Sequence, residues 1–373
     1  MGKVGCCALL ALTSVSAFAK PQSSWVDNLL EKLGASDTVD TSKLIDWGVL
    51  PGPFVNPEQG LGIGIGIAAV GLYTPTGWQS TDPYSTLTLT SYASTSGSYG
   101  LGVENRTYLS GDRIRLLIDG WLSHTPGYYW GQGESAAQTD SNKTQYNAQR
   151  YQFNPKIAYQ IAPNVYLKAG WHWQTYQGVT VDDETPVAKA LSNGRSSGMV
   201  LGMEYDSRDF EPNPAMGSYW NLEWSDFRHQ YGSDTNYQQW LMNVRHYLQV
   251  SSQTIVAMEL YSQAFTGDVP WYDQAMLGDD QRMRGYYQGQ YRDRNQLSTQ
   301  VEVRHSFNQR HGMVAWVGAG TIAPHYNELL EQSWLPTVGI GYRFAFKARI
   351  NVRVDMGFGK ESSGFYFHVN EAF

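Results

Sequence analysis

From about Trp47 onward, apolar residues recur at every second position. In 349–359, Ile350, Val352, Val354, Met356 and Phe358 fall on one face, and Arg349, Asn351, Arg353, Asp355 and Gly357 on the other. Leu61, Ile63, Ile65 and Ile67 alternate with Gly60, Gly62, Gly64 and Gly66, and Leu87, Leu89 and Ala93 oppose Thr86, Thr88 and Thr90. A period of two sends successive side chains to opposite faces of a strand. A soluble sandwich alternates as well. Long segments joined by alternately tight and extended connections predict instead a wall with one face in lipid and one in water. Counting back from the C-terminus gives strands at about 364–373, 347–358, 335–345, 311–322 and 297–308, then a long loop over 267–295. Upstream come 252–266, 235–249, 216–231, 194–206, 164–178, 149–161, 112–124, 98–109, 84–95 and 60–73. That total is odd, whereas single-chain bacterial barrels close with an even number. The extended stretch 47–56, followed by the turn-forming Pro57-Glu58-Gln59-Gly60, completes an all-β fold: a transmembrane antiparallel β-barrel of sixteen strands. Pro51 and Pro53 each remove a ladder donor from that first strand, so its pairing is expected to be weak.

Composition agrees with the pattern. The chain has 373 residues, a net charge of -7 and a mean hydropathy of -0.42, with no apolar run long enough for a membrane helix after the first 20 residues. Tyr 25, Trp 13, Phe 13 and Gly 38 are abundant, and charged residues are 16%, below the ~25% of a typical soluble domain. Lys3, the apolar stretch 4–18 and Ala17-Phe18-Ala19 predict a signal peptide over 1–19, cleaved for export. Cys6 and Cys7 leave with it, which excludes disulfides, thiol nucleophiles and zinc-cysteine sites from the mature chain. An acidic exported chain gives no reason to expect a nucleic-acid partner. In 20–46, Ser24 is a plausible N-cap for Trp25, Leu29, Leu30 and Leu33, which stop at Gly34. This predicts a short N-terminal helix, lying at the membrane surface or barrel mouth or inserted as a plug. The barrel then occupies 47–373, with no linker or repeat marking a second domain.

Candidate chemistry changes this picture little. Gly194-Arg-Ser196-Ser-Gly198 matches a nucleophile elbow, but an alternating strand follows where that motif needs a helix. The eight histidines show no metal-ligand spacing, so neither catalytic residues, metal nor cofactor is expected. Asp182-Asp183-Glu184 and Asp279-Asp280 fall in predicted outer loops, as solvated charge or as ligands for an ion bridging lipopolysaccharide. A barrel hydrolase would need carboxylates and histidine clustered at the outer rim.

One loop carries a more specific signal. Arg284-Gly285-Tyr286, then Gly289 and Tyr291-Arg292-Asp293, precede a strand bearing Glu302 and Arg304. Tyr205-Asp206-Ser207-Arg208-Asp209 with Pro212, Pro214 and Gly217 forms a second block. Val338–Phe344, Arg353-Val354-Asp355 and the segment 56–64 form others. Together they resemble the BamA/TamA family, the bacterial surface antigen superfamily of outer-membrane assembly and translocation barrels, over about 47–373. The resemblance implies that the long loop folds into the lumen, where Arg284 pairs with carboxylates on the inner wall. Alternation places Gln300, Glu302 and Arg304 on one face, so Glu302 is the expected inner-wall partner. The next strand departs from the family, with Gly318 where BamA has an inward aspartate. Asp206, Arg208 and Asp209 are expected in a periplasmic turn. Phe365, Phe367 and the terminal Phe373 share a face and resemble the C-terminal signal read by the barrel-assembly machinery. Family members that insert or export proteins carry periplasmic POTRA domains, for which residues 20–46 are too few. The implied protein is a barrel-only outer-membrane member without enzyme activity, acting in protein or lipid insertion or translocation through a lateral seam. The alternatives are a passive channel or structural barrel and, third, a barrel hydrolase. Implied partners are outer-membrane lipids including lipopolysaccharide, the assembly machinery during biogenesis, and a client protein or lipid.

Overall fold

The computed structural model describes residues 46–70, 85–182, 185–211, 213–347 and 350–373. The expected signal peptide and N-terminal helix therefore lie outside the described residues, as do Asp183, Glu184 and Pro212. Strands β1 (Asp46–Asn56), β2 (Gly60–Val70), β3 (Thr86–Ser94), β4 (Tyr99–Leu109) and β5 (Ile114–His124) open the chain. A three-residue β6 (Gly127–Tyr129) and a one-turn helix Glu134–Ala137 follow. Then come β7 (Thr144–Ala162), β8 (Val165–Val181), β9 (Gly194–Asp206), β10 (Gly217–Phe227), β11 (Tyr237–Ser251) and β12 (Thr254–Gly267). The loop 268–294 holds only the short ribbon of β13 (Ala275–Met276) and β14 (Arg292–Asp293). The last strands are β15 (Asn295–Ser306), β16 (His311–Ala323), β17 (Leu335–Lys347), β18 (Ile350–Gly359) and β19 (Ser362–Val369).

Setting aside β6, β13 and β14 leaves sixteen wall strands among the described residues, each antiparallel to the next in sequence. The predicted segments 60–73 through 335–345 match β2 through β17 to within a few residues. β7 and β8 are longer than predicted, at 19 and 17 residues, because they continue past the wall to meet β6 and the loop above it. Five of the long connections (125–143, 182–193, 228–236, 268–294 and 324–334) lie at one rim, and the tight turns 163–164 and 252–253 at the other, together with the longer 207–216.

Burial is inverted relative to a soluble protein. On β15, Val301 and Val303 are exposed on the outer surface, while Gln300, Glu302 and Arg304 are buried inside. β18 repeats this, with Met356 and Phe358 outside and Arg353 and Asp355 inside. Apolar atoms facing outward suit lipid, and the polar interior accounts for the low average hydropathy. The final strand ends earlier than expected. Phe365 faces outward and Phe367 is half-buried beside β1, but the chain turns at Asn370 (φ 69) and Phe373 enters the lumen. There it packs with Tyr247 and Ala257, and its carbonyl accepts Arg304 Nη2 at 2.6 Å. The expected continuous aromatic face through Phe373 is thereby corrected. Glu371 causes the turn, since Arg343 (2.7 Å) and Asn351 draw its carboxylate inward.

Candidate functional site

The site is built where the long loop descends into the barrel. Its apolar residues Leu277, Met283, Tyr286 and Tyr291 pack on Ile322 of β16 and Leu335 of β17. The tip then threads through a notch left by glycines. A Cβ on Gly357 would lie 2.7 Å from the Arg284 carbonyl carbon, and Gly285 adopts φ +110 with Phe358 backbone 2.8 Å from its own Cβ position. Only glycine at both positions lets the two backbones approach this closely.

Arg284, fully buried, is held by two carboxylates. Its Nη2 donates to Glu302 and its Nη1 to Asp355, each at 2.6 Å. The Trp316 ring lies 3.5 Å beneath the guanidinium. The sequence offered Glu302 but left the second carboxylate unassigned, because Gly318 stands where an acidic side chain was sought. A Cβ at Gly318 would sit 2.7 Å from the Thr299 carbonyl oxygen, so this point of the wall is too crowded for a side chain. Asp355 supplies the charge from β18 instead. Around the pair runs a closed chain of charges. Arg343 and Arg353 reach Asp355 at 2.5 and 3.1 Å, Arg304 reaches Glu302 at 2.8 Å, and Arg343 also reaches Glu371. Asp280 joins it through Arg353 at 2.5 Å. Asp279 and Asp280 are thus turned inward with the loop rather than standing as solvated outer charge. Buried charges are tolerable only when paired in this way.

A second polar cluster fills the opposite wall. Arg115 reaches Asp112 (2.6 Å), Glu204 (2.9 Å) and Asp206 (3.2 Å), while Lys168 bridges Glu204 and Glu223. Arg208 donates to Asp206 at 2.9 Å, and Asp209 accepts the Ala215 amide at 2.9 Å, which ties down the 207–216 turn. Ser196, from the elbow-like segment, donates to loop residue Asp273. Among the described residues, no group of three or more metal-ligating side chains forms.

Two loop contacts reach the ends of the wall. The Gly285 amide donates to Tyr366 Oη on β19 at 2.8 Å, and the Gln288 amide to Glu58 in the β1–β2 turn at 2.6 Å. Between those strands lies a seam. β1 runs beside β19, with the Gly52 Cβ position 3.6 Å from the Phe367 ring, yet among the described residues no register of paired residues joins them. Every other neighbouring pair of wall strands has one, from β1–β2 to β18–β19. Pro51 and Pro53 explain part of this. They have the same parity, and the β1–β2 register runs unbroken through both, so their donor-less nitrogens point to the other edge, toward β19.

The fold has counterparts among known proteins. The profile of the Omp85 superfamily domain matches residues 83–373. The fold is similar to BamA from Haemophilus ducreyi lacking POTRA domains 1–3, at 14% identity and a TM-score of 0.55 over 92% of this chain and 77% of that one. It is also similar to CdiB from Acinetobacter baumannii (13% identity, TM-score 0.55) and CdiB from Escherichia coli (10% identity, TM-score 0.60). Each of these covers 88% of this chain, which in turn spans 60% and 63% of their lengths. No curated protein matches the sequence. With most of its wall and the whole loop site inside the matched region, the chain belongs to the Omp85 superfamily, a family of bacterial outer-membrane barrels.

Proposed function

We propose that this barrel inserts or translocates a client, protein or lipid, by parting its wall between β19 and β1. The observation that carries this reading is the seam: the one neighbouring pair of wall strands without a register among the described residues, with a donor-poor edge on β1. A strand edge whose amides lack partners is a template for another strand. Here β19, only eight residues long, covers that edge loosely enough to yield. The long loop, seated on Glu302 and Asp355 through Arg284, holds the lumen closed while the seam works. Outer-membrane lipids, including lipopolysaccharide in the outer leaflet, are the immediate surroundings, and the assembly machinery that reads Phe365 and Phe367 is the partner during biogenesis. Nothing in this reading requires a covalent step.

The test is a reversible lock. Both cysteines of the sequence lie in the first ten residues, so cysteines introduced at Gly52 and Phe367 meet no competing thiol in the barrel. The oxidised pair is expected to abolish complementation of a deletion strain, and a reductant to restore it. Full complementation by the locked protein would leave the passive channel or structural barrel as the function.

A further inference from the structure

The loop does not fill the barrel completely. A cavity of about 230 Å³ remains between its underside and the inner faces of β7, β8, β10, β11, β12 and β15. Among its hydrogen-bonding groups amides are the commonest type: Gln152, Gln239, Gln263 and Gln296 from the wall, with Gln174, which is turned to Asp273, and Gln274 and Gln288 from the loop. The charges at its edge are engaged or balanced. Asp273 accepts from Gln174, Ser196 and Tyr237, and Arg282 donates to Glu259 at 2.9 Å. Asp279 accepts the Gln281 amide at 2.6 Å, and Arg150 faces the same space as Asp273. Four buried polar atoms here have no partner among the described residues: Arg150 Nε, His172 Nε2, Gln274 Oε1 and Arg282 Nε. Such atoms ordinarily find a partner in protein, water or a bound solute. Tyr237, stacked on Phe227 with ring centroids 4.3 Å apart, and Tyr261 add aromatic surface.

We propose that this cavity is a binding site for a neutral saccharide, held by the amides of Gln239, Gln263 and Gln274 against the rings of Tyr237 and Tyr261. An amide offers both donor and acceptor, as a sugar hydroxyl requires, and aromatic rings cover the apolar face of a pyranose. A charged ligand would bring an unbalanced charge into the cavity. A translocating polypeptide needs a continuous path, whereas this space is compact and capped by the loop from Tyr272 to Met283.

The test uses the whole protein in a detergent without sugar head groups, with glucose as the probe, read by saturation-transfer NMR and calorimetric titration. Triglycine and inorganic phosphate are the comparison solutes. Saturable glucose binding is expected, weakened about fivefold to tenfold by Gln239→Leu for the loss of a hydrogen bond. Heat-dependent gel mobility checks that the variant forms a barrel, and Gln263→Met replaces it if it does not. Competition by an oligosaccharide released from lipopolysaccharide would identify a membrane glycan as the source, and its absence a free sugar. No saturable glucose binding, equal binding by a folded variant, or preference for triglycine or phosphate would overturn the proposal.

Discussion

Arg284 concentrates the local energetics. A guanidinium with no exposure, two carboxylates and an aromatic face leaves no route for water to replace a lost partner. Arg284→Ala takes one buried partner from each carboxylate, leaving Glu302 to Arg304 and Asp355 to Arg343 and Arg353. It is expected to cost about 3 kcal/mol in urea unfolding, the low end for a broken buried pair. Arg284→Lys should rescue little, because an ammonium cannot span both carboxylates as the planar fork does. A loss below about 1 kcal/mol for the alanine variant would mean that neighbouring Arg343 and Arg353 take over the charge. Half of this arrangement was legible in the sequence. Period-two alternation put Glu302 and Arg304 on one face and Arg353 and Asp355 on another strand's face, so the inward charges could be identified residue by residue. That Asp355 rather than a residue at 318 completes the latch depends on wall curvature and on crowding by the Thr299 carbonyl, which no local pattern encodes.

At the scale of elements, the long loop is a strap as well as a filler, since within four residues it hydrogen-bonds both strands' ends at the seam, through Tyr366 and Glu58. Burial pushes the Glu58 carboxyl up to about 7, with Asp279 and Asp280 adding to the rise and the Gln288 amide opposing it. The ordinary value, 4.5, is the lower one, so folding favours the protonated form. Its contribution is complete below about 4.5 and is lost as pH rises through about 7. The thermal midpoint of wild type should therefore fall relative to Glu58→Gln between pH about 5 and about 8, because glutamine keeps an acceptor but does not titrate. Parallel midpoints for the two proteins would show that Glu58 stays solvated. Gly357→Val tests the seat of the strap from the other side, and faster amide exchange over 277–290 is expected as the Arg284 backbone is displaced. Strands were the easiest elements to read, because two-faced burial imposes its period on each one. The strap's contacts were not readable, since they join residues more than 80 and 200 positions apart.

For the molecule as a whole, the same sixteen strands that could be counted in the sequence create a problem that the sequence does not show being solved. A barrel of this size encloses more space than its wall side chains fill. The described interior is occupied by two charged clusters, the inward-turned tail ending at Phe373, and the loop 268–294, whose Met283 and Tyr286 pack on Ile322 and Leu335. The tail escaped prediction because Phe373 continues the aromatic alternation in sequence and leaves it in space only through Asn370. Two kinds of force hold the loop, and they make different demands. If the ion pairs of Arg284 dominate, Arg284→Ala releases the loop, and single-channel conductance in planar bilayers should rise severalfold toward that of a barrel lacking 268–294. If the apolar contacts dominate, conductance stays at the wild-type level while unfolding stability falls, and Tyr286→Ala becomes the variant that opens the lumen. The close backbone approach at Gly357 favours the first outcome, because Arg284 is the residue seated in that notch, and its carbonyl also accepts Thr337 Oγ1 at 2.5 Å. Loss of its side chain leaves two carboxylates facing the loop backbone at the point of closest contact. The loop must then move to let water reach them, which is the event that the conductance reads.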